Sequence, residues 1–207
     1  MKILFENGSL VMAVKPAGVL SEDAGEGSMA SELRRETGGE IFTVHRLDRA
    51  VGGVMVYAKT KEAAAELSRE CALDKEYIAV VHGETEDTGE MRDLLFKDSK
   101  SNKSYVVKRM RRGVREASLT YKTLERKDGL NLVSVKLGTG RSHQIRVQFA
   151  SRRLPLVGDG KYGASDGCPV ALFCRRISAT YRGATYSAEA LPDKAYPWDL
   201  FEIFKEG

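Results

Sequence analysis

The sequence predicts an α+β fold built on a mixed, mainly antiparallel β-sheet flanked by helices, and three observations carry that expectation. Short apolar runs recur along the chain and end in turn residues, two of them meet at a hairpin turn, and only three segments carry a helix start signal.

Leu10 to Val14 is the first strand, stopped by Lys15-Pro16-Ala17-Gly18. Ser28 then offers an N-cap for a short helix that ends near Gly38-Gly39. Val54 to Ala58 reads as a buried strand, and Thr60 caps an Ala- and Glu-rich helix running from Lys61 to about Cys71. Tyr77 to Val81 is the next strand, closed by Gly83. Ser118 to Glu125 pairs with Leu132 to Leu137 across Lys127-Asp128-Gly129, and the alternation of Val133, Val135 and Leu137 with Leu132, Ser134 and Lys136 marks one face as the more deeply buried. Ser142 is placed to cap a last helix reaching about Arg152, with Pro155 just beyond it.

With 207 residues, 42% of them apolar and 30% charged, the chain suits one soluble globular domain spanning 1–207. No repeat or low-complexity linker divides it, and no apolar stretch is long enough to span a membrane. Met1-Lys2-Ile3-Leu4-Phe5 is too short an apolar stretch for a secretory signal, so a cytoplasmic protein is expected. Cys71, Cys168 and Cys174 lack zinc-type pairing and read as buried or idle thiols, and with only His45, His82 and His143 available no metal site is expected. Net charge is +4, yet Lys97 to Lys127 holds eleven Lys/Arg against three acids, a local +8 that leaves about −4 elsewhere. That asymmetry suits a polyanion such as RNA, with Lys108, Arg109, Arg111 and Arg112 as the densest cluster; a solvated hairpin explains the charge equally well.

Three segments can carry chemistry. In Thr43-Val44-His45-Arg46-Leu47-Asp48-Arg49-Ala50-Val51-Gly52-Gly53, an acid lies between two arginines in a loop that leads through a glycine pair into a buried strand. Cationic neighbours keep a carboxylate ionised, as a nucleophile requires, and the glycines would let backbone approach a ligand; a surface ion pair is the alternative. In Gly138-Thr139-Gly140-Arg141-Ser142-His143-Gln144-Ile145-Arg146, a strand ends at a helix start that could receive an anion, and His143 and Arg146 share a face three residues apart; a solvated basic face has the same spacing. Gly158-Asp159-Gly160-Lys161-Tyr162-Gly163 is a glycine-punctuated loop that a plain turn would also explain. Tyr77, within Lys75-Glu76-Tyr77-Ile78-Ala79, reads on its own as a core or sheet-edge tyrosine.

In order and wording, these segments resemble the RluA-type family of pseudouridine synthases, which modify ribosomal and transfer RNA. The resemblance runs from Leu10-Val11-Met12-Ala13-Val14-Lys15-Pro16-Ala17-Gly18 through Gly158-Asp159-Gly160-Lys161-Tyr162-Gly163, then thins to Leu172, Ile177 and the stretch from Ala188 to Pro192. It implies a single catalytic domain of the pseudouridine synthase fold with a central active-site cleft and no accessory N-terminal RNA-binding domain. It further implies that Asp48 is the catalytic aspartate, that Arg46 enters the RNA stack as the target nucleotide leaves it, that Tyr77 packs on the uracil ring, and that Arg146 pairs with the catalytic carboxylate. Arg141, His143 and the basic cluster are then candidate RNA contacts.

Converting uridine to pseudouridine breaks the N-glycosidic bond and rejoins the ring through carbon 5 without net redox change, so no cofactor is expected, and neither is an obligate protein partner; a monomer suits the size. The chain departs from the family pattern at Val51-Gly52-Gly53, where Thr-Ser-Gly is common, at Gln148, often histidine, and at Arg153, frequently glycine. Two other readings stand beside this one: a catalytically silent RNA-binding relative, and a phosphoesterase or nuclease using His143 and Asp159.

Overall fold

The computed structural model describes residues 1–69 and 72–205. In chain order the elements are β1 (Lys2–Glu6), β2 (Leu10–Lys15), α1 (Met29–Thr37), β3 (Phe42–Thr43), β4 (Gly52–Ala58), α2 (Lys61–Leu67), β5 (Leu73–His82), β6 (Thr88–Asp98), β7 (Lys103–Val107), β8 (Val114–Lys127), β9 (Leu130–Leu137), α3 (Gln144–Ser151), β10 (Leu172–Tyr181) and β11 (Ala184–Glu189). They pack as two compact units, Met1–Glu76 with Phe173–Pro192, and Tyr77–Leu172 with Asp193–Gly207. The α+β class expected from the sequence holds. Among the described residues no helix is long and apolar enough to cross a membrane.

In the first unit the strand order is β1-β2-β4-β10, with β3 against β4 and β11 against β10. β2 and β4 run antiparallel from Leu10↔Ala58 to Lys15↔Gly53. β4 meets β10 in parallel at Phe173↔Gly52 and Cys174↔Gly53, which makes the sheet mixed. Every residue of β4 is buried, which explains why it reads as an unbroken apolar run rather than an alternating one. Leu10, Met12, Val54 and Val56 form one cluster with Ala63 and Leu67 of α2 and Ile177 of β10.

Both helices of this unit start where expected. The Ser28 hydroxyl accepts from the Ser31 N–H (3.3 Å), and the Thr60 hydroxyl from the Ala63 N–H (3.1 Å). Gly38 ends α1 in the left-handed region at φ 68°. α2 is shorter than expected, because the chain tightens after Leu67 and the Arg69 N–H turns back to the Glu66 carbonyl. Its expected end at Cys71 lies outside the described residues.

In the second unit the order is β5-β9-β8-β6-β7. The β8–β9 hairpin closes at Lys127↔Leu130 around Asp128 and Gly129, both at positive φ (51° and 75°), the backbone that an Asp-Gly pair favours. β8 begins four residues earlier than the sequence suggested, since Arg115 and Glu116 are exposed ladder residues that hide the strand pattern. α3 corrects a second expectation. Its N-cap is His143, at φ 53°, not Ser142, whose carbonyl is taken by the Ser104 hydroxyl at 2.7 Å. The Gln144 side chain braces the turn instead, accepting from the Arg141 N–H (2.9 Å) and the Thr139 hydroxyl (2.8 Å).

Candidate active site

Asp48 is half-buried in the loop between β3 and β4, and that loop is pinned on both sides of it. Before it, the Ser21 hydroxyl donates to the Leu47 carbonyl (3.0 Å) and accepts from the Leu47 N–H (3.1 Å). After it, the Gly18 N–H donates to the Arg49 carbonyl at 2.7 Å while Arg49 Nε returns a bond to the Gly18 carbonyl at 2.8 Å. The Val51 N–H closes the turn on the Asp48 carbonyl (2.9 Å). At the loop's entry, His45 Nε2 accepts from the Val56 N–H at 3.1 Å, clipping the motif to β4.

The glycine pair that follows serves a different approach from the one expected. A Cβ on Gly53 would lie 2.4 Å from the Cys174 backbone nitrogen, and its φ is +136°, so the glycine admits a neighbouring strand rather than a ligand.

The two arginines that flank Asp48 turn elsewhere. Arg46 makes an exposed pair with Glu22 (3.3 Å), and Arg49 bonds the Gly18 carbonyl. Within this unit the cation whose charge Asp48 influences is Lys15, fully buried at the end of β2. Lys15 Nζ donates to the carbonyls of Val19 (2.8 Å), Pro16 (2.9 Å) and Arg49 (3.3 Å). Burial pulls its pKa down to about 8, with the negative charge of Asp48 opposing the fall. Burial, helped by the Lys75 cation, lowers His45 to about 3 and keeps the ring neutral. Because Nε2 accepts, the proton sits on Nδ1, a buried atom with no hydrogen-bond partner among the described residues. Sequence reasoning did not assign roles to Lys15, Ser21 or His45. A lysine continuing a wholly apolar strand into a Pro turn was the available signal for the first.

The other expected residues stand in the second unit. Tyr77, on β5, is only 6% exposed. Arg146 and Asp159 form a buried bidentate pair, Nε to Oδ2 and Nη2 to Oδ1, both 2.7 Å. His143 Nδ1 lies 2.9 Å from the Tyr162 hydroxyl, and the Arg146 guanidinium sits 5.3 Å from the centre of the Tyr162 ring. His143 and Arg146 thus share a face, as their spacing suggested, and Tyr162 is where they converge. The 158–163 loop is more than a plain turn: a Cβ on Gly158 would meet the Pro169 carbonyl at 2.2 Å, so the close packing that brings Asp159 beneath Arg146 needs glycine there. Asp159 is therefore committed to a guanidinium and His143 to a phenol. Among the described residues, no group of three or more His, Cys, Asp or Glu is arranged to hold a metal ion.

Arg141 Nε donates to the Glu116 carbonyl (2.9 Å). Lys108, Arg109, Arg111 and Arg112 are all exposed on the turn joining β7 to β8. Two departures from the family pattern find physical partners. Gln148 Nε2 donates to Asp93 Oδ2 (2.7 Å), tying α3 to β6, and Arg153 holds φ 63°, a backbone where glycine would be at ease. Of the cysteines, Cys174 is buried and Cys168 half-buried, with no disulfide among the described residues, while Cys71 lies outside them.

This fold is the one seen in RNA pseudouridylate synthases. It superposes on the human RNA pseudouridylate synthase domain containing 1 with a TM-score of 0.79 at 22% identity, covering 95% of this chain and 84% of that one. Residues 9–151 match the RNA pseudouridylate synthase family. The chain is 36% identical over 172 residues to the ribosomal large subunit pseudouridine synthase C of Buchnera aphidicola subsp. Baizongia pistaciae, covering 78% of this chain and 53% of that protein. It is 30% identical over 198 residues to the tRNA pseudouridine synthase C of Vibrio vulnificus, covering 86% and 80%. The chain belongs to the RNA pseudouridylate synthase family, in its RluA-type branch. It spans about half the length of the large-subunit relatives it matches.

Proposed function

We propose that this protein isomerises specific uridines of ribosomal or transfer RNA to pseudouridine, as a single catalytic domain over 1–207. The observation that carries the reading is that the family match over residues 9–151 takes in Asp48, and that Asp48 stands in a loop fixed by bonds from Ser21, Gly18 and Lys15. Such a loop holds a carboxylate in one orientation, which a group acting on one atom of a flipped nucleotide requires.

In this reading Asp48 is the catalytic residue. Arg46, exposed and paired at the surface with Glu22, leaves that pair and fills the gap left by the departing nucleotide. Tyr77 packs on the uracil ring, where an aromatic contact contributes about 1–3 kcal/mol. Arg146 serves the carboxylate chemistry from a guanidinium already fixed by Asp159. Arg141, His143 and the cluster of Lys108, Arg109, Arg111 and Arg112 meet RNA. No cofactor enters the chemistry, the protein acts as a monomer without an obligate partner, and its place is the cytoplasm.

The test is incubation of the purified protein with unmodified ribosomal and transfer RNA, followed by mapping of pseudouridine. New pseudouridine at a few discrete positions supports the reading. RNA bound but unchanged would make this a silent binder, and chain scission would make it a phosphoesterase.

A further inference from the structure

One sheet surface of the second unit carries aromatic and cationic groups that the proposed chemistry leaves unused. β6 lies between β7 and β8, and Phe96 is the direct partner of Tyr105 on one side and of Val114 on the other. Directly opposed residues of antiparallel strands share a face, with Cβ atoms about 4.5–5.5 Å apart. Tyr105, Phe96 and Val114 therefore form one row across three strands. The opposite face holds Leu95, Val106 and Ala117, which pack with Val147 of α3 and with Tyr162. The Tyr105 row is thus the face turned away from α3.

Cations stand over that row. The Arg111 guanidinium lies 5.0 Å from the centre of the Phe96 ring, and Lys103 Nζ, at the sheet edge, lies 5.7 Å from that of Tyr105 and 5.2 Å from that of Tyr162. Arg111 is held in place because the Val114 N–H donates to its carbonyl at 3.0 Å. Tyr105 remains 42% exposed, and Met110 at the tip of the turn 57%. Three acids stand on the same face: Asp98, opposite Lys103, Glu116, opposite Leu94, and Glu90, further along β6.

A solvated basic face accounts for the cations but not for the Tyr105 ring left 42% exposed beside them. An exposed tyrosine ring between positive charges matches an unpaired base between its phosphates. We propose that the outward face of β6 and β7 is a second RNA surface, on which Tyr105 stacks an unpaired base while Lys103 and Arg111 hold its phosphates. It rests on the RNA-acting reading above and sharpens it: the preferred substrate carries a single-stranded segment beside its target uridine.

The experiment measures binding of two fluorescent probes, a single-stranded oligoadenylate of about ten nucleotides and a blunt hairpin with a uridine in its loop. The oligoadenylate offers no uridine, so it does not engage the uracil site, and its dependence on Tyr105 reports on this surface. Tyr105→Ala weakens oligoadenylate binding by roughly 5- to 150-fold, the loss of one stacked base, and leaves the hairpin unaffected. Tyr105→Phe keeps the affinity, and Gly8→Ala changes neither probe. Oligoadenylate that does not bind the native protein, binds Tyr105→Ala equally well, or is lost equally with Tyr105→Phe would overturn the proposal. Failure of the enzymatic reading shows separately, as native protein that takes up oligoadenylate through Tyr105 yet forms no pseudouridine in ribosomal or transfer RNA.

Discussion

Arg146 and Asp159 are joined by two parallel hydrogen bonds of 2.7 Å, with the carboxylate wholly removed from solvent. A guanidinium gripped at Nε and Nη2 cannot rotate, so a loop acid thirteen residues further along fixes the cation on α3. Removing the acid strips a buried guanidinium of its bidentate partner. Asp159→Ala is expected to lower stability by about 3–5 kcal/mol, read by urea denaturation. A loss below about 1 kcal/mol would show that the pair is not organising this unit.

Lys15 gives the Asp48 loop a pH signature. Its folded pKa, about 8, lies below the ordinary 10.5, so between those values the unfolded chain holds a proton that the folded one has lost. Stability contributed by Lys15 therefore rises with pH across that window and is lost as pH falls through about 8. The stability difference between the native protein and Lys15→Met, measured by denaturation from pH 7 to pH 10.5, is expected to widen in favour of the native protein. A difference that stays flat or narrows contradicts the burial of a charged lysine at the end of β2.

Gly53→Ala places a methyl group against the Cys174 backbone, where no flexible side chain can give way. The parallel pairing of β4 with β10 should suffer by about 3 kcal/mol or more, seen as a lowered thermal midpoint. Gly8→Ala is the control, because nothing lies within 4 Å of its Cβ; it should stay within about 0.5 kcal/mol of the native protein.

Arg46→Ala should slow pseudouridine formation more on a structured RNA than on one whose target uridine is already unstacked. Single-turnover rates on a paired and an open-loop substrate make the comparison. Equal losses on both would remove Arg46 from base flipping and leave it a surface cation beside Glu22.

Much of the fold was legible because local chemistry and tertiary structure agree: Ser28 and Thr60 cap their helices, and Asp128-Gly129 turns its hairpin. Legibility failed where tertiary contacts decide. β6 is hidden because exposed Glu90, Arg92 and Lys97 interrupt its apolar residues, β7 is a short strand within the basic segment, and β10 and β11 carry no turn-bounded apolar alternation that marks them. His143 displaced Ser142 as the cap because Ser104 claims the Ser142 carbonyl and Tyr162 claims the His143 ring, neither visible from local sequence. At the candidate site, motif order names the residues proposed for the chemistry, but their supports are long-range. Ser21 reaches Leu47 across twenty-six positions and Lys15 reaches Arg49 across thirty-four, so no window of local sequence contains either bond.

The central claim is that Asp48 performs the chemistry, and Asp48→Asn tests it most directly because the substitution keeps shape and removes the charge. Single-turnover formation of pseudouridine in RNA that the native protein modifies, measured beside RNA affinity, is the decisive experiment. The account predicts that turnover disappears while affinity is retained. A variant that still forms pseudouridine at the native rate would contradict it.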